Sequence, residues 1–327
     1  MLARNAHDVY WLGRHLVRAE HTARMLDGLF HADLQGRLDD PTSVTLTWDS
    51  LLTIMGAQHQ VTPGVAAQRD EVIGALTLDP QNPVSIRACV ERAREGARTV
   101  RDTISAEMWE SVNTFNLGMQ GANLDSGLRT GPYSIYAYVK ERTALFWGLT
   151  SRTMQKDEAR AFLVAGGRLE AADMVLRMLR VALPPTRQKE EDDDREVPRR
   201  DGNALALLRS VGGFQAFMRS AAAPPNAGPV TRFLLFERDF PDSVAASVES
   251  LHGALSRAEA DPLEAPPVLR LARISADLKF RSGNSLAGED LAPAFREVQH
   301  ELDAADEEID RRYFQGQGVT RQYGGGA

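Results

Sequence analysis

Arg18 lies seven residues after Trp11 and seven before Met25, inside a strip of otherwise apolar positions. A guanidinium buried there needs a partner, because an uncompensated interior charge costs several kcal/mol. Two chemistries meet that need: an ion pair between packed helices, or a grip on an anionic ligand. Glu170 is the acidic candidate for the first, and the pairing predicts that Arg18 meets Glu170 across two long helices. Around these two lie further charges at helical spacing, Glu20 with Arg24 and Asp173 with Arg177. On a surface such i,i+4 pairs contribute only about 0.2–0.5 kcal/mol.

Arg87, Arg94, Arg98 and Arg101 form a second set, sharing one side of the helix that opens after Pro83. An arginine row can hold carboxylates or phosphates bidentately, or pair with acidic neighbours such as Glu91 and Glu95. Glu107, near the start of the next helix, is a candidate general base beside Glu170 if the chemistry is acyl or amide transfer with Arg18 binding an anion. Two Glu-x-x-His spacings, Glu249/His252 and Glu297/His300, raise a carboxylate-bridged metal site as a minor alternative. Glu249 and His252 fall on the flank of their apolar stripe and His300 points away from its own, so no metal ligands are assigned. Walker-type, Gly-x-Ser-x-Gly and His-Glu-x-x-His signatures are missing from the sequence, and no cofactor is expected.

The elements that carry these residues repeat. Val9, Leu12, Leu16, Ala19, Ala23, Leu26 and Phe30 recur 153 positions later as Phe162, Ala165, Leu169, Ala172, Leu176, Leu179 and Leu183. Gly13 matches Gly166, and Arg24 matches Arg177. Alternating steps of three and four wind one stripe along a long helix, so the pattern predicts two related halves packed about a pseudo-twofold axis. Helices are expected at about 5–33, 44–58, from 82 to 104, from Ser105, at 133–154, 157–183, 203–220, 230–238, 242–258, 268–282 and 291–314. Met119–Pro132 reads as a glycine-rich loop, and Gly166-Gly167 and Gly212-Gly213 as sites of close helix packing. Sustained period-two alternation is missing, so the fold class is all-α, a multi-helix bundle.

By domain, residues 1–183 hold the first helical half and the long helix of the second repeat. An acidic solvated linker spans 184–202, further helices of the same domain span 203–315, and a disordered Gly-rich tail spans 316–327. The 327 residues can bury a large core, and 43% hydrophobic with 25% charged residues is an ordinary globular mixture. A net charge of −7 argues against nucleic-acid binding. The single Cys89 excludes an internal disulfide and suits a reducing cytoplasm. The charged opening segment is no signal peptide, and no run of about 18 apolar residues could span a membrane.

Four segments taken together resemble one family: MLARNAHDVYWLGRHLVRAEHTARMLD at the start, NPVSIRACVERAREGARTVRDTISAEMWESVN in the middle, GGRLEAADMVLRML, and FLLFERDFPDSV. The chain resembles the Alpha-E family of bacterial all-α domains with a Glu-Arg motif. In that family the motif reads Glu-Arg-Ala-Glu in the first long helix and Glu-Arg-Ala-Asp in the second. Here it is Val17-Arg18-Ala19-Glu20 and Glu170-Ala171-Ala172-Asp173, so each copy keeps one half of the pair. Family members are encoded beside, or fused to, a circularly permuted ATP-grasp protein, with transglutaminase-like proteins as frequent neighbours. The resemblance therefore implies an accessory role in ATP-dependent amide or peptide ligation, binding the ligase or its peptide substrate.

Overall fold

The computed structural model describes residues 1–34, 46–58, 69–122, 132–183, 196–220, 223–283 and 292–315. Among them every regular element is helical: α1 (Ala3–Leu34), α2 (Trp48–Met55), α3 (Arg69–Thr77), α4 (Ile86–Thr99), α5 (Ala106–Gln120), α6 (Tyr133–Thr153), α7 (Glu158–Ala182), α8 (Glu196–Ser210), α9 (Phe214–Ser220), α10 (Ala227–Phe236), α11 (Val244–Ala258), α12 (Pro266–Gly283) and α13 (Ala292–Ile309), which ends in a π-helical turn, Asp310–Phe314. The fold is all-α. No described helix is long and apolar enough to cross a membrane.

Helix starts follow from side-chain caps. Ser85, Ser105, Asp157 and Ser243 each accept a hydrogen bond from the backbone N–H three residues on, satisfying a donor that the first turn leaves free. Ser85, not the expected Asn82, opens α4; the Asn82 side chain instead accepts from the Val84 N–H and donates to the Ala75 carbonyl. The α4 pattern was also expected to run to Ile104, but the helix ends at Thr99, although Val100 and Ile104 remain buried. Gly212 adopts φ +69° and closes α8, so Gly212-Gly213 marks a break between helices and not a packing site within one. Helix α8 starts at Glu196, inside the segment expected as linker, and α3 carries no stripe long enough to have been foreseen. The acidic run at 189–195, most of the 119–132 loop and the tail at 316–327 lie outside the described residues.

The centre of the molecule is the crossing of α1 and α7. All fourteen stripe positions are buried there. Helix α4 lines the far side of α1 and α11 the far side of α7, while α5 and α6 extend the first layer and α12 and α13 the second. At the crossing the backbones touch. A methyl group added to Gly13 would overlap the Leu163 carbonyl oxygen, and one added to Gly166 would overlap that of Tyr10. Both contacts carry the same 153-residue offset, so each helix presents the same pair of positions to the other.

Candidate functional site

One turn beyond that crossing, α1 presents Arg14 and Arg18 to a single carboxylate on α7. Glu170 has no solvent exposure. The Arg18 guanidinium donates through Nε to Oε1 at 2.5 Å and through Nη2 to Oε2 at 2.9 Å, a bidentate fork. Arg14 donates through Nε to the same Oε2 at 3.0 Å. The pairing of Arg18 with Glu170 is therefore present, with a second arginine added.

Arg14 links this seam outward. Its Nη1 donates to Asp306 of α13 at 2.6 Å, and the Tyr10 hydroxyl donates to the other Asp306 oxygen at 2.7 Å. Its guanidinium lies 4.6 Å from the Trp11 ring centre, where the π face stabilises a cation. Burial by itself raises the Glu170 carboxyl, but the Arg18 and Arg14 charges outweigh it and hold the group well below the usual carboxylate range. At the seam Glu170 is thus a carboxylate held by two arginines, one of which Asp306 and Trp11 also engage.

The other expected residues fall into separate contacts. Arg24 reaches Glu20 at 2.7 Å, and Arg177 reaches Asp173 at 2.8 Å. Asp173 also accepts from Gln299 at 2.7 Å; burial shifts its carboxyl upward, against the pull of Arg177. The arginine row does not converge on one point. Arg101 stacks on Trp109 at 4.7 Å, Arg94 packs on the same ring and donates to Asn113, Arg98 pairs with Glu95, and Arg87 is half-buried in the first turn of α4. Glu107 is exposed in the first turn of α5, where a carboxylate favours the helix dipole.

Among the described residues no group of three or more His, Cys, Asp or Glu is arranged to hold a metal ion. Glu249 is taken up by Arg238, and Glu297 by Arg281 at 2.5 Å. Cys89 is fully buried and its thiol is pushed up to about 11 by burial, an inert core side chain.

Arg14, Asp306, Tyr10 and His15 were not anticipated. Arg14 had a local signal, since it precedes Arg18 by four residues on a helix packed on two faces. Small residues stand 153 positions on in α7, Gly167 after Arg14 and Ala171 after Arg18. Asp306 had none, because it reaches the seam from another helix 292 residues away in sequence.

Comparison with known proteins fits this architecture. Uncharacterized proteins from Mycobacterium bovis and from one strain of Mycobacterium tuberculosis are each 24% identical over 266 residues, and one from a second M. tuberculosis strain is 23% identical over the same length. The match takes in 76% of this chain and 29% of each relative, so the chain spans under a third of the curated proteins it matches. No solved structure matches. A family model described as a predicted alpha-helical domain with a conserved ER motif matches residues 1–314, and the chain belongs to this family, Alpha-E.

Proposed function

We propose that this domain is an accessory, partner-binding unit of an ATP-grasp-dependent amide- or peptide-ligation system, docking on the ligase or on its peptide substrate. The observation that carries this reading is the state of Glu170. It has no exposure, accepts three N–H groups from two arginines, and binds a proton more weakly than an ordinary carboxylate. A general base needs the opposite: access to the substrate and a proton affinity near the working pH. The motif is therefore a clasp between helices, and the work falls to the surfaces it holds in place. Acyl transfer through a composite Arg18/Glu170 site finds no free base at this seam, and Glu107 is exposed on another helix.

Two further facts support the binding reading. The domain forms under a third of its curated relatives, which places it beside other sequence in those proteins. The family resemblance implies a circularly permuted ATP-grasp protein as the neighbour, with a transglutaminase-like protein as a second candidate partner. Copurification of the full chain with the ATP-grasp neighbour is the direct test. A complex that survives at micromolar concentration supports the reading, and separate elution of the two proteins overturns it.

We infer further that α1–α4 and α7–α11 descend from one duplicated unit. Their second helices are capped alike, although this was not expected from the stripes. Ser85 accepts from the Ala88 N–H and donates to the Asp79 carbonyl; Ser243 accepts from the Ala246 N–H and donates to the Glu237 carbonyl. Cys89 approaches the Pro83 carbonyl as Ser247 approaches that of Pro241. All of these positions differ by 158, which supports common descent together with the reciprocal glycines of the crossing.

A further inference from the structure

Helix α1 also forms one wall of a groove that the clasp does not use. His7, Trp11 and His15 recur at four-residue spacing, with ring centres 6.1 Å apart for the first pair and 5.4 Å for the second. With Arg92, Gly96 and Arg98 of α4 they line an open groove of about 510 Å³. Gly96 lets the two helices approach closely, since a methyl group there would press on the Asp8 carbonyl oxygen.

Three features make this groove a built site. His15 borders the groove, is only 8% exposed, and its buried Nδ1 has no hydrogen-bond partner, so the imidazole keeps unused hydrogen-bonding capacity. Arg92 donates one N–H to the Pro83 carbonyl at 2.8 Å, which fixes the guanidinium at the rim while using one of its five donors. The acidic rim residues are already engaged: Asp8 accepts from Thr99 at 2.6 Å, and Glu95 accepts from Arg94 and Arg98.

We propose that this groove binds a carboxylate flanked by an N–H, as at the C-terminal residue of a peptide. The oxygens meet Arg92, whose remaining N–H donors are free of the Pro83 carbonyl. The N–H meets the His15 imidazole, and the terminal side chain lies on Trp11. Burial and the nearby Arg18 push His15 down to about 3, so the ring is neutral and offers one acceptor nitrogen. The volume exceeds what a lone oxyanion fills, and an aromatic wall serves an organic ligand better than inorganic phosphate. The proposal rests on the peptide-binding branch of the reading above, whereas copurification speaks to ligase association separately.

The test follows the ring signals of His15 by ¹H–¹⁵N NMR during titration with N-acetyl-alanyl-alanine, its C-terminal amide, and inorganic phosphate. The expected result is a saturable shift with the free acid, roughly tenfold weaker binding of the amide, and a similar roughly tenfold loss in Arg92→Gln, as for removal of a charge-assisted hydrogen bond. Arg92 is exposed, so this variant keeps the fold. Equal binding of acid and amide would overturn the carboxylate assignment while leaving peptide binding standing. A response to phosphate alone, or no saturable shift with any of the three, would overturn the site itself.

Discussion

The helix pairs α1–α4 and α7–α11 share a scaffold and divide the charge between them. Each pair has a long stripe helix, a glycine at the crossing and a serine cap on the second helix. Where α1 has Val17 and Arg18, α7 has Glu170 and Ala171; where α1 has Arg14, α7 has Gly167. One helix gives cations, the other gives the anion and the space to receive them. Because Arg18 meets the residue 153 positions after Val17, one arginine from α1 and one glutamate from α7 complete the contact with no charge at Val17 or Ala171. Backbone features such as a cap or a close-packed glycine can recur in both pairs without cost, but a buried ion cluster must be complementary across the helix contact.

The largest effect expected from this division is at Glu170. Glu170→Gln leaves Arg18 without its carboxylate and Arg14 with Asp306 alone, and should cost about 3–5 kcal/mol, the usual penalty for removing one partner of a buried pair. Glu20→Gln, which breaks the half-buried pair with Arg24 on the same α1 helix, should cost no more than about 0.5 kcal/mol. Urea unfolding with a shared m-value measures both. Equal losses would show that the seam is no more than another surface contact.

His15 sharpens the comparison through pH. Its counterpart 153 residues on is Arg168, which reaches outward to the Pro241 carbonyl at 2.8 Å, so only α1 buries an imidazole here. The charges facing His15 are Arg18, Glu170, Arg92 and Arg14; burial and the three arginines, against the opposing pull of Glu170, hold its value down at about 3, from 6.5 in the unfolded chain. Between those values the unfolded state binds a proton that the folded state refuses, so stability falls as pH is lowered from about 6.5 toward 3. The slope from this one group is at most about 1.4 kcal/mol per pH unit. His15→Asn should flatten that limb in denaturation series from pH 7 to pH 4. An undiminished slope would assign the acid sensitivity to other groups.

The legible part of this molecule was the part governed by local periodicity. The stripe residues of α1 and α7 are all buried, and the Arg18–Glu170 contact follows once two amphipathic helices with matched stripes are allowed to pack. What failed to show has physical reasons. Asp306 is one of several acidic residues on α13, and only the approach of that helix to Arg14 distinguishes it from Asp303 or Glu307. Of the expected arginine row, Arg87, Arg94 and Arg98 stand on α4 while Arg101 lies past its end at Thr99, and Trp109 and Glu95 draw the members apart, which spacing alone does not reveal. The Pro-x-Ser signal before α4 and α11 was present in the sequence at 83–85 and 241–243, yet its offset of 158 differs from the 153 of the stripes, so a single register hides it.

That second register gives the smallest and most discriminating prediction. Ser85 and Ser243 are fully buried, and each both caps its helix and donates to a carbonyl six residues back. Replacing either by Ala removes an N-cap worth about 1 kcal/mol and leaves the Asp79 or Glu237 carbonyl without that donor. The two variants should therefore lose about the same stability, within roughly 0.5 kcal/mol of each other, and the double variant should lose the sum, because the caps lie in different helix pairs and share no partner. Chemical denaturation of the three variants reads this directly. A Ser243→Ala loss much smaller than that of Ser85→Ala would mean that the caps look alike without bearing alike, and the case for a duplicated unit would then fall back on the glycine crossing alone.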